Sequence, residues 1–274
     1  MDNPEKILKR AVVFHDLSGF SKCALSVAMP VLSAQKIEVL PVPTAVLSAN
    51  MSIPGFSYLD MTPHLKEYLN HWKDIPVKAD ALYSGYLSAP EQTRYVEDSI
   101  DFLNPGLVLV DPVMGDGGRL YKSTNPLMRD GFLTLIKKAD LLTPNLTEAC
   151  LLTDMEYESD MNSEKTKELC ERLKNLGAKN VVVTGVTREN ALFNCVMTEK
   201  RYMEFGFMEL PYRMGGTGDL FASVLLGKLL NGINLESAVP YSARFVTDVM
   251  AYTVGVDGYK QRGICFEPFL SLLC

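Results

Sequence analysis

In the last third of the chain, three glycines and an acid stand together as Gly215-Gly216-Thr217-Gly218-Asp219, ahead of an apolar run to about Leu230. Glycines let backbone N–H groups converge on one point, and a helix starting there adds its positive dipole end. Such a nest binds an anion and stabilises charge developing on a transferring phosphoryl group. A bound phosphate repels a carboxylate, so Asp219 at the mouth needs a reason. Base chemistry supplies one: the carboxylate takes the proton of a substrate hydroxyl as that oxygen attacks phosphorus. Gly218 is expected to need both positive φ and close phosphate approach. The plain alternative is a glycine-rich turn with Asp219 as helix N-cap. The segment is neither a Walker loop, lacking GK[ST], nor a GxGxxG after a first strand.

Two further groups of polar residues follow predicted strands. Asp111-Pro112-Val113-Met114-Gly115-Asp116-Gly117-Gly118 offers two carboxylates in a flexible loop, suited to a hard cation such as Mg²⁺ or to contacts near phosphates. Asp and Gly are also ordinary turn residues. In Thr143-Pro144-Asn145-Leu146-Thr147-Glu148, Asn145 is placed to cap a helix, with Glu148 completing a capping box. Glu148 is equally suited to reach Mg²⁺ through water. Taken singly, each motif has a bland reading. Three on one edge of one sheet are hard to dismiss.

That edge is set by the elements. Apolar runs at 11–14, 37–42, 79–83, 107–110, 140–142 and 181–184 read as strands. Helical spacing covers 22–34, 63–72, 91–103, 125–138, 145–152, 163–176 and 217 to about 230. Strands buried on both faces and separated by helices mean a doubly wound, mostly parallel sheet in one α/β domain, 1–274. Runs at 192–197 and 201–208 break the pattern and predict an antiparallel hairpin. Ligands of such sheets bind beyond the C-terminal strand ends. There the sequence places His15-Asp16-Leu17-Ser18-Gly19, Thr44, Ser84-Gly85-Tyr86, Asp111 to Gly118, Thr143 to Asn145 and Thr184-Gly185. No Ser/His/Asp nucleophile set is evident among them, so positioning and electrostatics suit this edge better than acyl transfer.

Composition narrows the classes. The 27 Lys+Arg against 33 Asp+Glu leave a net charge of −6, which argues against a general nucleic-acid binder. With 47% hydrophobic and 22% charged residues the chain is ordinary globular material. Its six cysteines form no CxxC pair and are expected to be free thiols in a reducing compartment. His64 and His71 are too far apart for an HExxH-type zinc site. The charged first residues carry no signal-type apolar core, and no run reaches the ~20 apolar residues of a membrane helix. A cytoplasmic protein without membrane or nucleic-acid partners is expected.

Ser84-Gly85-Tyr86-Leu87, Asp111 to Asp116 with Tyr121 after it, Thr143 to Glu148, and Gly216-Thr217-Gly218-Asp219 occur in this order along nearly the whole chain. Together they resemble the pyridoxal kinase branch of the ribokinase-like superfamily. Pro43 to Ser48 and His15 to Gly19 resemble its substrate-side loops. The resemblance implies ATP-dependent, Mg²⁺-assisted phosphorylation of the 5′-hydroxymethyl group of pyridoxal, pyridoxamine or pyridoxine by a homodimer. Asp219 matches the family's base, and Gly216, Thr217 and Gly218 its anion hole. Asp111, Asp116, Tyr121, Thr143, Asn145, Glu148, Thr184 and Gly218 match the nucleotide side, with Asp111 and Glu148 toward the metal, and the antiparallel run from Leu192 to Met208 would lie over the nucleotide. Thr44 and Tyr86 match the vitamer pocket, and either Asp16 or Ser18 meets the ring. The nearest rival is a hydroxymethylpyrimidine kinase, whose flat ring carries the same reacting group. From another class comes a catalytically silent, vitamer-binding homologue.

Overall fold

Along β1 (Lys9–Phe20), Ala11 and Val13 face one layer of helices while Val12 and Phe14 face the other, all four fully buried. That alternation makes two cores on the faces of one sheet. The computed structural model describes residues 8–189, 191–208 and 210–274. β2 (Ile37–Ala49), β3 (Tyr58–Asp60), β4 (Ala81–Ser84) and β5 (Leu107–Val110) are followed by the small β6 (Gly115–Asp116) and β7 (Arg119–Leu120). Then come β8 (Leu141–Leu142), β9 (Asn180–Arg188), β10 (Ala191–Met197) and β11 (Tyr202–Met208). The nine-stranded sheet runs β11-β10-β9-β8-β5-β4-β1-β2-β3. It is parallel from β9 to β2, with antiparallel strands at both edges.

Leu65 and Leu69 of α2 (Thr62–Asp74), Val96 of α3 (Glu91–Leu103) and Phe132 of α4 (Met128–Leu135) pack on one face. α5 (Leu146–Thr153) and α6 (Ser163–Asn175) complete that layer. α1 (Leu25–Ala34), α7 (Thr217–Leu230) and α8 (Leu235–Thr253) cover the other. Each fully buried Leu or Phe stabilises this arrangement by about 1.5–3 kcal/mol before entropy is counted. α7 is apolar nearly all round, because it lies between the sheet, α1 and α8.

The structure departs from the sequence reading in three places. β1 and β2 run past 14 and 42: after a register shift between His15 and Leu17, they pair on as Leu17↔Val46, Ser18↔Leu47 and Phe20↔Ala49. Pro41 and Pro43 are tolerated because β2's outer edge meets β3 only at Ala45–Leu47. The loop after Asp111 folds into the β6–β7 hairpin, with Gly117 at φ 60 and Gly118 at φ 78, the two positive values a tight hairpin turn requires. The expected 192–208 hairpin forms as β10 and β11, and it extends the main sheet through β9, packed by α6 and α8. Beyond Leu230, where no element is predicted, α8 forms, capped by Asn234, whose side chain accepts from the Ser237 amide. Among the described residues no helix is long and apolar enough to cross a membrane, and all six cysteines are free.

Candidate active site

The parallel register aligns Phe14, Ser84, Val110 and Leu142 across neighbouring strands. The residues that follow them therefore emerge side by side: His15-Asp16, Gly85-Tyr86, Asp111 and Thr143 to Asn145. α7 points its first turn at the same edge. Gly216 is its N-cap, at φ 86, and no side chain caps the helix, so its first amides keep no partner within the helix. A Cβ on Gly216 would stand 2.5 Å from the Lys22 carbonyl oxygen, so only glycine fits there. Gly218 differs from the expectation. Its φ is ordinary, and a Cβ there would meet nothing within 4 Å, so open space lies beside it. Thr217 opens α7, its hydroxyl 3.4 Å from the Met214 carbonyl.

Asp219 lies in the first turn of α7 and is held at both oxygens. Oδ1 is 2.9 Å from Nε2 of His15, and Oδ2 accepts from the Ala24 amide at 2.7 Å. Ala24, at φ 55, is the uncapped N-cap of α1, so the carboxylate also closes that helix. Burial alone would raise the Asp219 pKa. The His15 charge and hydrogen bond, with the Ala24 amide, hold it below the usual carboxylate range. Burial alone would likewise lower the His15 pKa, but Asp219, then Asp16, push it up to about 10.

Asp16 and Ser18 lie beside this pair. Nδ1 of His15 is 3.1 Å from Asp16 Oδ1, and the Ser18 hydroxyl donates to Asp16 Oδ2 at 2.9 Å. Serine, histidine and two aspartates do converge, contrary to the expectation of no such set. The serine bonds a carboxylate rather than the imidazole, so it is not an activated nucleophile. Tyr86 is buried, and its phenol is pushed up by burial and by Tyr58. Thr44 is fully buried and donates to the Tyr86 carbonyl at 2.8 Å, which spends its hydroxyl on shaping the turn. Cys23, buried here too, has its thiol pushed up to about 12 by burial and by Asp16 and Asp219.

On the other side, burial and then the Asp219 carboxylate push Asp111 up to about 7, with His15 offsetting part. Glu148 is raised by burial and by Asp111. It accepts from the Met114 amide at 3.0 Å and the Asn145 amide at 2.9 Å. The predicted capping box is complete, because Asn145 Oδ1 accepts from the Glu148 amide. Asn145 Nδ2 also donates to the Gly115 carbonyl at 2.8 Å, which ties α5 to β6. Thr143 is buried, its hydroxyl 3.5 Å from the Val110 carbonyl. Thr184, with Gly185 at φ 71, sits at the irregularity where β9 and β10 lose register, a bulge at the ligand edge. Asp116 and Tyr121 are exposed, and Asp116 pairs with Arg213 at 3.2 Å. Among the described residues no three His, Cys, Asp or Glu side chains form a metal site. Asp111 and Glu148, both buried, are nevertheless a pair of hard-oxygen donors, and among the described residues His15 is the cation that offsets the Asp111 charge. The pair fits Mg²⁺, which uses one or two carboxylates and fills the rest with water and phosphate oxygens.

A cavity of about 460 Å³ opens at the opposite, N-terminal edge of the sheet, between Lys9, Asp80, Asp140 and Asn180. Those four side chains already bond to neighbouring backbone groups, and none of the residues predicted for the site lines this cavity. Sequence reasoning gave no role to His15, Ala24 or Arg213. The signal for His15 was its place directly after a buried strand.

A parallel sheet whose strand ends gather an uncapped glycine-rich helix start, an ionised aspartate and a further pair of buried carboxylates is the architecture of the ribokinase-like small-molecule kinases. The model of the phosphomethylpyrimidine kinase family matches residues 32–263. A provisionally named phosphomethylpyrimidine kinase from Bacteroides thetaiotaomicron VPI-5482, crystallised with pyridoxal, is 36% identical. Its TM-score is 0.93, over 97% of this chain and 96% of that one. Pyridoxal kinase from Lactobacillus plantarum is 27% identical with TM-score 0.91, over 97% of each chain. Pyridoxine/pyridoxal/pyridoxamine kinase of Bordetella avium is 30% identical over 83% of this chain and 80% of its own. The chain belongs to the phosphomethylpyrimidine kinase family, in the pyridoxal kinase branch of the ribokinase-like superfamily.

Proposed function

We propose that this chain, as one kinase domain over residues 1–274, transfers the γ-phosphoryl group of ATP to the 5′-hydroxymethyl group of pyridoxal, pyridoxamine or pyridoxine. The observation that carries this reading is Asp219, kept ionised by His15 and Ala24 beside the free amides of an uncapped α7. The vitamer ring lies against Tyr86, with Thr44 behind the turn and Asp16 or Ser18 reaching the ring. Its hydroxyl gives its proton to a remaining lone pair of Asp219 as the oxygen bonds phosphorus. Amides of Gly216, Thr217 and Gly218 take up the charge that builds on the phosphoryl oxygens. Asp116, Tyr121, Thr143, Asn145 and Thr184 frame the nucleotide, Thr143 and Asn145 by shaping the loops they bond. Asp111, with Glu148 acting through water, would hold Mg²⁺, which when bound neutralises phosphate charge.

The resemblance also implies a homodimer. Leu17, Val46 and Leu59 support it: they pair across β1, β2 and β3 as an apolar row 37%, 37% and 56% exposed, the kind of patch a second copy covers. Sedimentation of the purified chain at micromolar concentration reads this directly. The free thiols suit a reducing cytoplasm.

The family name favours one rival, phosphorylation of hydroxymethylpyrimidine. ATP turnover with the three vitamers and the pyrimidine side by side separates the two. A preference for a vitamer supports the proposal, and a preference for the pyrimidine overturns it. Vitamer binding without turnover marks a silent homologue.

A further inference from the structure

His15 meets neither vitamer nor nucleotide in the mechanism above, yet the geometry is built around it. Its ring edge faces Asp219 through Nε2 at 2.9 Å and Asp16 through Nδ1 at 3.1 Å, and its side chain is only 3% exposed. Gly85 makes room for it: a Cβ there would stand 2.1 Å from His15 Cδ2. Tyr83 packs edge-on to it, ring centroids 6.0 Å apart. Ser18, Asp16, His15 and Asp219 thus form one chain of contacts at 2.9, 3.1 and 2.9 Å, from the wall expected to meet the ring to the base.

We infer that His15 is the positioning residue of this site: it orients the Asp219 carboxylate, keeps it ionised, and links it through Asp16 to the wall of the ring pocket. The inference rests on the reading of Asp219 as base. A carboxylate can turn about its terminal bond, and an acceptor proton must meet the one lone pair that faces the hydroxyl. Nε2 on Oδ1 and the Ala24 amide on Oδ2 remove that freedom. Nε2 can only donate to an ionised Asp219. Nδ1 also lies 3.1 Å from the Asp16 amide and 3.3 Å from the Tyr86 amide, which suit an unprotonated nitrogen. The carboxylates on both sides favour the imidazolium. In the reaction the hydroxyl proton passes to Asp219, the substrate oxygen bonds the γ-phosphorus as the bond from that phosphorus to the bridging oxygen breaks and ADP leaves, and His15 keeps its own proton throughout. The titratable groups facing the pair are Asp16 from β1, Cys23 before α1, Tyr83 from β4 and Asp111 after β5.

The test compares His15→Gln, which keeps a neutral donor near the Nε2 position, with His15→Leu, which keeps bulk and loses the donor. Steady-state kinetics with ATP and pyridoxal are run from pH 5 to 9, with folding checked by circular dichroism. Without the positive charge the buried Asp219 protonates more readily. The acid limb of kcat/KM for His15→Gln therefore moves upward by about one pH unit or more, each unit being tenfold in the ionised fraction. Near pH 8.5 this variant stays within about tenfold of wild-type kcat, while His15→Leu loses about a hundredfold with KM for ATP little changed. A folded His15→Leu with wild-type kcat overturns the inference. So does a deficit that is equal at every pH and equal in the two variants, the mark of a merely structural role. If His15→Leu does not fold, the limb of His15→Gln decides alone: shifted, it supports the inference, and unshifted, it overturns it. Asp219→Asn keeps the two failures apart. If it is inactive while both His15 variants are normal, only this inference falls; if it turns over normally, the base reading falls as well.

Discussion

Gly216 and Gly218 stand two residues apart in one motif, and the structure gives them opposite fates on gaining a methyl group. At Gly216 an alanine must adopt φ 86 and press its Cβ within 2.5 Å of the Lys22 carbonyl. The backbone strain alone costs about 1–3 kcal/mol, and relieving the clash adds to it. At roughly 2–4 °C per kcal/mol for a chain of this size, Gly216→Ala melts about 4–10 °C below wild type. At Gly218 the φ is ordinary and the space empty. Alanine in a first helical turn there is neutral or better by up to about 1 kcal/mol, so the melting temperature holds or rises slightly. The same methyl group stands where a phosphate must approach the amides, and kcat/KM for ATP falls at least about tenfold, or more than 1.4 kcal/mol. Thermal melts by circular dichroism and a coupled ADP-release assay on both variants read the two effects. Gly218→Ala with wild-type kcat/KM refutes the placement of phosphate on this nest. Gly216→Ala with an unchanged melting temperature refutes the strain.

Three other outcomes are expected. Asp219→Asn keeps the shape of the site but not the base, so kcat drops about 10²–10⁴-fold while calorimetric ATP affinity stays within a few-fold; a variant retaining most of its kcat removes Asp219 from the chemistry. Glu204 of β11 accepts from both arms of Arg188 (2.8 and 3.1 Å), from Tyr202 and from Ser163, and chiefly the Arg188 bond lowers it to about 2. Glu204→Gln therefore destabilises by about 2 kcal/mol at pH 7 in urea titration. Because its folded pKa lies below the usual 4.5, that difference fades as pH falls from 4.5 toward 2; a gap unchanged at pH 2.5 contradicts the ion pair. His15 has the opposite sign: its pKa rises from 6.5 to about 10 on folding, so its contribution is complete below pH 6.5 and lost as pH climbs through 10. The stability gap between wild type and His15→Gln should narrow over that interval, and a constant gap would speak against a folded-state imidazolium.

Local signals carried far in this sequence. The spans 91–103 and 107–110 match α3 and β5 to the residue, because amphipathic spacing and an unbroken apolar run are each decided by neighbouring residues. The Asn145–Glu148 capping box and the glycine-rich start of α7 were legible for the same reason. The second halves of β1 and β2 were not. Asp16, Ser18, Gly19, Pro41 and Pro43 are turn residues by local preference, and they extend only because Leu17 and Phe20 find Val46 and Ala49 across the sheet. Nor could the meeting of His15 with Asp219 be read: 204 positions separate them, and only the packing of α7 beside β1 brings them together. The free position of Gly218 was hidden likewise, since a run of glycines does not say which one carries the unusual torsion.

The Ser84-Gly85-Tyr86 turn looks like a local turn signature, but its glycine records an imidazole lying on it. Positions 15 and 85 are therefore sterically coupled in this chain. A chain with a smaller residue at 15 has room for a side chain at 85, whereas one that keeps histidine at 15 must leave 85 bare. Recruiting this scaffold for other acceptors thus begins with a double exchange, since altering the turn by itself would evict the ring and set the aspartate loose.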